Sequence, residues 1–268
     1  MKIVDCFIFY NELDMLKFRL EYLYDTVDHF VLVEMYKTHS GNLKPYYFNE
    51  NKKLFEKYLD KIVHVMVDDD YIPMIEPKNK LKFGLKKKEY KPPRPNIQRE
   101  IHHRNCIRRG IDKLKLSDSD IIIISDLDEI PDRNTLKEVE IDGIYSLNQD
   151  MYYYNLTCKV QEKWTQSRIM QFLNIKHSTS IQLLRVYQFP ALNKPGGWHF
   201  SYFGNIEFIK NKLKNFCHAG EDRIEIITEK DISDALKSNS DLFGRSNFMT
   251  VPIEENTYLP ENYGMLKF

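Results

Sequence analysis

Net charge is what this 268-residue chain most plainly lacks: 39 Lys and Arg balance 39 Asp and Glu, for a formal net charge of zero. A chain without a global field cannot draw in nucleic acid or an anionic membrane surface by long-range attraction. Cysteine is scarce as well. Cys6, Cys106, Cys158 and Cys217 share no paired spacing, so a disulfide framework and a cysteine-based zinc site are excluded, and reduced, partly buried thiols are expected. Long apolar runs are missing too, so no segment approaches the roughly 20 residues of a membrane span. The opening MKIVDCFIFYNELD carries one lysine and a short apolar stretch, then turns acidic, without the pattern of a signal peptide. A cytoplasmic protein with no transmembrane segment is therefore expected, and Asn155-Leu156-Thr157, a glycosylation acceptor by pattern, is expected to go unused. Internal repeats and low-complexity tracts are absent.

What is present is concentrated in residues 120–132, DIIIISDLDEIPD. Consecutive isoleucines predict a strand buried on both faces, as in the middle of a parallel sheet. Four carboxylates follow it closely: Asp126, Asp128, Glu129 and Asp132. Open α/β sheets bind ligands at the carboxyl ends of their strands. Asp126 and Asp128, two apart, point to the same side if the chain stays extended. Clustered like charges repel, and a hard cation among them relieves the repulsion, which makes this D-x-D a candidate metal site. The competing reading is an acidic loop that happens to follow a core strand.

The rest of the first half reads as strand, helix, strand, helix, strand. Residues 2–9, 30–33 and 62–67 are strand-like; a helix begins at Asn11 with Leu13, Leu16, Leu20 and Leu23 on one stripe, and residues 49–59 form another. This alternation predicts an α/β protein with a doubly wound, mostly parallel central sheet flanked by helices. One catalytic domain over residues 1–268 is expected, with a helical or irregular extension over 223–268. Residues 71–96 contain five prolines in a lysine-rich background and lose all periodicity. A loop of that length reads as a lid over the site or as a solvated insertion.

Residues 97–114 form a helix with an anomaly: Arg104 and Arg108 fall inside its apolar stripe of Ile97, Ile101, Ile111 and Leu114. A guanidinium on a core-facing surface must meet an anion. The carboxylates at 126–132 are one partner, and a bound diphosphate, which matches the guanidinium fork, is another. A metal held by one or two carboxylates keeps positions for water and phosphates, in the manner of Mg²⁺ or Mn²⁺. His199 and His218, each near a glycine turn, are the candidates for a further ligand, and an imidazole favours manganese. Such a site suits a reaction whose leaving group is a diphosphate. Inverting chemistry at a sugar carbon also needs a carboxylate base, for which Asp150, Glu221 and Asp222 are the candidates.

At this point the chain resembles a family of glycosyltransferases, that of the β-1,4-mannosyl-glycoprotein 4-β-N-acetylglucosaminyltransferase, which adds the bisecting GlcNAc to N-glycans. The resemblance is carried in order by residues 9–34, THSGNLKP at 38–45, the QRE–HHRN segment at 98–105, DIIIISDLDEIPD at 120–132 and GGWHFSYFG at 196–204. It implies a GT-A fold with a Rossmann-like sheet, a UDP-sugar donor such as UDP-GlcNAc, a glycan or glycoconjugate acceptor, inversion at the anomeric carbon and dependence on Mn²⁺. Within that resemblance Asp128 coordinates the metal, Asp126 reaches the ribose or a metal-bound water, and Asn11, Glu12 and Glu34 hold the nucleotide. The membrane anchor and stem of Golgi members have no counterpart in this sequence, which leaves the acceptor open. Two other classes compete: an aspartyl-phosphate phosphatase, whose D-x-D follows the first strand, and a nucleotide- or carbohydrate-binding protein without catalysis.

Overall fold

The protein is described here from a computed structural model covering residues 1–69, 93–178, 180–220 and 222–266, without the side chains of 222 and 223. The 71–96 segment read as a lid therefore lies mostly outside the described residues, up to the turn that opens a helix at Pro95.

In chain order the elements are β1 (Ile3–Phe9), α1 (Leu13–Leu23), β2 (His29–Met35), α2 (Tyr47–Glu50), β3 (Ile62–Val67), α3 (Pro95–Asn105), α4 (Ile107–Ile111), β4 (Ile121–Asp126), β5 (Glu129–Ile130), α5 (Arg133–Lys137) and β6 (Ile144–Ser146). There follow β7 (Asp150–Tyr153), β8 (Cys158–Val160), β9 (Arg168–Gln171), α6 (Ile181–Val186), β10 (Trp198–Ser201), α7 (Ile206–Asn215), α8 (Asp222–Glu225), α9 (Glu229–Ser238) and β11 (Phe248–Thr250). The helix expected over 97–114 is broken after Asn105 into α3 and α4, and the one expected over 49–59 is a single α-turn followed by a 3₁₀ stretch, Lys52–Tyr58.

Two sheets form. The first has the order β3-β2-β1-β4-β9-β6 and the second β11-β8-β7-β10-β5. β3, β2, β1 and β4 run parallel, as the strand–helix alternation dictates, but β9 joins β4 antiparallel and β6 joins β9 antiparallel. In the second sheet β10 pairs parallel with β7 and antiparallel with β5. Both sheets are therefore mixed, which departs from the mostly parallel sheet read from the sequence. The strands responsible are two to four residues long, too short to show an alternating pattern.

The isoleucine strand behaves as its composition requires. Ile121 and Ile123 of β4 enter one core with Phe7, Leu16, Leu20 and Leu32, against α1. Ile122 and Ile124 enter a second core with Val4, Val31, Val33 and Ile107, against α4. Alternate side chains of a strand point to opposite faces, so a central strand covered on both sides must be apolar throughout. A third cluster packs α7 and α9 against the second sheet. All four cysteines are free and buried. No helix among the described residues is long and apolar enough to cross a membrane.

β4 ends at Asp126 in the first sheet, and β5 begins at Glu129 in the second. The D-x-D turn is thus the joint between the two sheets. Its partner β10 is admitted by Gly197, at φ +99°, where an added Cβ would lie 2.1 Å from the Ile130 carbonyl oxygen. Only glycine allows that approach.

Candidate active site

A cavity of about 370 Å³ opens at the joint, at the carboxyl ends of β1, β2 and β4. Its wall includes Glu12, His39, Arg104, Asp126, Asp128, Arg185, His199, Lys212 and His218. The turn is fixed from below by Arg19, which is wholly buried. Its guanidinium forks onto Asp5, with Nε to Oδ2 at 2.8 Å and Nη2 to Oδ1 at 2.6 Å. Nη1 donates to the carbonyls of Asp126, Leu127 and Glu129, each at 2.9 Å. Glu129 fixes the turn from within: its Oε2 accepts from the Asp126 amide at 2.9 Å and from Ser167 at 2.7 Å, while Oε1 accepts from the Trp164 indole at 2.7 Å. With the turn's carbonyls and amide engaged, the side chains of Asp126 and Asp128 are left to the cavity.

The two aspartates meet different cations. Asp126 accepts from Arg104 Nε and Nη2 at 3.1 and 2.8 Å and from Arg185 Nη2 at 3.0 Å. Asp128 accepts from Lys212 Nζ at 2.9 Å, and His199 Nε2 lies 3.6 Å from its other oxygen. Burial, the largest influence, would raise both carboxyls, yet Arg104 and Arg185 hold Asp126, and Lys212 and His199 hold Asp128, well below the ordinary carboxylate range. Lys212 also lies 3.4 Å from Glu12, and burial is outweighed by these anions so that its ammonium is held more firmly than usual.

His199 packs against Trp164 with ring centroids 4.6 Å apart, and its Nδ1 is buried without a partner. A proton on Nδ1 would be a buried, unsatisfied donor, whereas one on Nε2 faces Asp128. Among the described residues no three His, Cys, Asp or Glu side chains are grouped to hold a metal. Asp126 is engaged by two guanidiniums and Asp128 by Lys212, which leaves at most these two carboxylates as a donor set. It fits a cation held by one or two carboxylates and completed by phosphate oxygens and water.

Of the residues singled out from the sequence, Glu12, Arg104, Asp126, Asp128, His199 and His218 all line the cavity. Four others, Asn11, Glu34, Arg108 and Asp150, are not part of that wall. Glu34 is wholly buried and accepts from the amides of Phe48 and Asn49, at 3.0 and 3.4 Å, and from His64 at 3.2 Å, where it holds the start of α2. Arg108 pairs with Asp112 at 2.6 Å and donates to the Ile175 carbonyl, anchoring the edge of α4. Asp150 is clamped by Lys159 at 2.6 Å and by Lys163, outside the cavity wall. Asn11 is also outside that wall, its Oδ1 buried without a partner. Asp222 opens α8, and its side chain, like Glu221, lies outside the described residues.

Arg19, Arg185, Lys212 and Trp164 were not read from the sequence. Arg19 had the same signal as Arg104, since it lies three residues after Leu16 and four before Leu23, in the apolar stripe of α1. Arg185 and Lys212 had none, because nothing local marks a cation whose partner is more than 50 residues away.

An α/β protein with strand-tip carboxylates set among guanidinium and ammonium groups has its charged cavity where open sheets bind their ligands. Residues 1–249 match the family model described as Glycosyltransferase family 17, and the chain belongs to that family. This is the family of the β-1,4-mannosyl-glycoprotein 4-β-N-acetylglucosaminyltransferase, so the protein is a glycosyltransferase, an enzyme class that takes a nucleotide-sugar donor and a glycan acceptor. No curated protein matches the chain.

Proposed function

We propose that the protein is a metal-dependent, inverting glycosyltransferase of the GT-A type that moves N-acetylglucosamine from UDP-GlcNAc to a hydroxyl of a glycan or glycoconjugate. The observation that carries this reading is the pairing of Asp126 and Asp128 with Arg104, Arg185 and Lys212 around one cavity at the carboxyl end of β4. Three cations facing two strand-tip carboxylates provide places for both a metal and a diphosphate. Asp128 is the residue proposed to hold Mn²⁺ or Mg²⁺, with His199 orienting it and His218 on the same wall. When bound, the cation supplies neutralisation of the charge that develops on the leaving diphosphate.

The chain's own groups do the remaining work. Arg104 and Arg185 keep Asp126 ionised and fixed, and Lys212 places a positive charge beside Asp128. The cavity removes the reacting atoms from bulk water, which strengthens each of these interactions. The proton of the incoming hydroxyl needs a base. With Asp150 clamped by two lysines, Glu221 and Asp222 are the first choices for removal.

UDP release from UDP-GlcNAc tests the reading without knowledge of the acceptor. Slow donor hydrolysis is expected with Mn²⁺ and not without it. Asp128→Asn should reduce it on the order of 100-fold or more, the scale of losing one preorganised charge-stabilising group. Equal turnover with and without metal, or full activity in Asp128→Asn, would refute it.

A further inference from the structure

A chain of three hydrogen-bonding groups runs from the core into the cavity. The Val33 carbonyl of β2 lies 3.0 Å from His103 Nε2, and His103 Nδ1 lies 3.2 Å from His39 Nε2. A carbonyl only accepts, so His103 carries its proton on Nε2 and presents a lone pair at Nδ1. His39 must then donate from Nε2, which leaves a lone pair on its Nδ1. Burial is the largest influence on each imidazole and depresses both below their ordinary value, favouring the neutral forms, against the pull of Glu100 on His39. His39 lines the cavity, and its Nδ1 is neither sealed off nor bonded among the described residues. The fold therefore holds one hydrogen-bond acceptor of fixed polarity at the tip of β2.

Its distance from the charged end of the cavity narrows what it can accept from. The first sheet runs β2-β1-β4, so the end of β2, which leads to His39, is two strands from the end of β4 at Asp126. Two interstrand steps span about 9.6 Å, the reach of a nucleoside from its diphosphate to its base. Tyr10 and Glu12 at the tip of β1 form the wall between.

We infer that His39 Nδ1 reads the nucleobase of the donor by accepting the N3–H of uracil, and that His103 is the positioning residue that fixes its polarity. The inference rests on the nucleotide-sugar reading above and adds the residue that selects the base. Cytosine offers a lone pair at N3 and would face the lone pair of His39. Turning His39 to donate would require His103 to turn as well, setting its Nε2 lone pair against the Val33 carbonyl. The selectivity thus includes a repulsive element as well as an attractive one.

Calorimetric binding of UDP, 3-methyl-UDP and CDP in the presence of Mn²⁺, to the full chain, tests this. The unaltered protein should bind 3-methyl-UDP and CDP about ten- to a hundredfold more weakly than UDP, the consequence of leaving a polar group unpaired. His39→Phe should lower UDP to the level of 3-methyl-UDP while leaving 3-methyl-UDP unweakened, an outcome that loss of folding cannot produce. His103→Phe should narrow the preference for UDP over CDP. If UDP and 3-methyl-UDP bind the unaltered protein equally, or if His39→Phe keeps full discrimination, the assignment of His39 is overturned and the transferase reading stands. If no uridine nucleotide binds, both are overturned.

Discussion

Asp126 and Asp128 are two residues apart in sequence and are answered by different partners, two guanidiniums for the first and an ammonium with an imidazole for the second. Repulsion between the carboxylates, a reason to expect a metal from sequence, is met partly by the protein's own positive charges. Each carboxyl titrates below its unfolded value of about 3.9, because burial is outweighed by those cations. The sign of the linkage follows. In the acid range the unfolded chain binds these protons first, so the stabilisation is complete above about pH 4 and is lost as pH falls through the depressed folded values. Asp126→Asn should therefore be less stable than the unaltered protein at pH 7, and the gap should close on acidification below about pH 4. Urea denaturation at a series of pH values measures this. Parallel curves would mean that Asp126 draws no stability from its arginines.

At the scale of elements, α1 and the 126–129 turn are one mechanical unit. Arg19 is the link, satisfying three turn carbonyls, Ser125 and Asp5 from a position with no solvent access. Removing one partner of a buried pair strands the other, at a cost of about 3–5 kcal/mol. Arg19→Met should destabilise on that order, and adding Asp5→Asn should recover part of the loss, because the stranded carboxylate is then neutral. A double-mutant cycle by thermal denaturation tests the coupling, and additive losses would dissolve it. Much of this level was legible in the sequence. The isoleucines of β4 announced a strand covered on both faces, and Arg104 inside an apolar stripe announced a partner that proved to be Asp126. The second sheet was not legible, since strands such as Glu129–Ile130 and Cys158–Val160 are set by long-range pairing and not by local pattern. The role of Glu34 was also hidden: a carboxylate at a strand tip reads as a ligand group until the amides of Phe48 and Asn49 are seen to claim it.

Across the whole molecule, the cavity depends on the second sheet presenting Glu129 and His199, and the C-terminal segment braces the strands that carry them. Tyr258 donates its hydroxyl proton to Asp132 at 2.7 Å and accepts from the Gly197 amide at 3.1 Å, while its carbonyl accepts from the Trp198 indole at 3.1 Å. Asn256 bonds the Tyr152 hydroxyl at 2.6 Å, Glu261 pairs with Arg133, and Leu266 is buried in the core that contains Leu16 and Ile123. Asp132 follows β5 and Gly197 precedes β10, so the segment ties together the two strands that carry Glu129 and His199. The family match ends at residue 249, short of all these contacts. A chain ending at residue 250 should therefore lose far more than a tail. It uncovers Trp198, which is 1% exposed, and strands the groups that Tyr258 satisfies. Tyr258→Phe, which removes only the hydroxyl bridging Asp132 and Gly197, should cost about 1–3 kcal/mol, or roughly 2–12 °C in melting temperature for a chain of this size. The truncation should cost more than the single hydroxyl and abolish UDP binding with it. A truncated chain that melts with the full one would show that β5 and β10 hold together without the strap, and that residues 251–266 serve some other end.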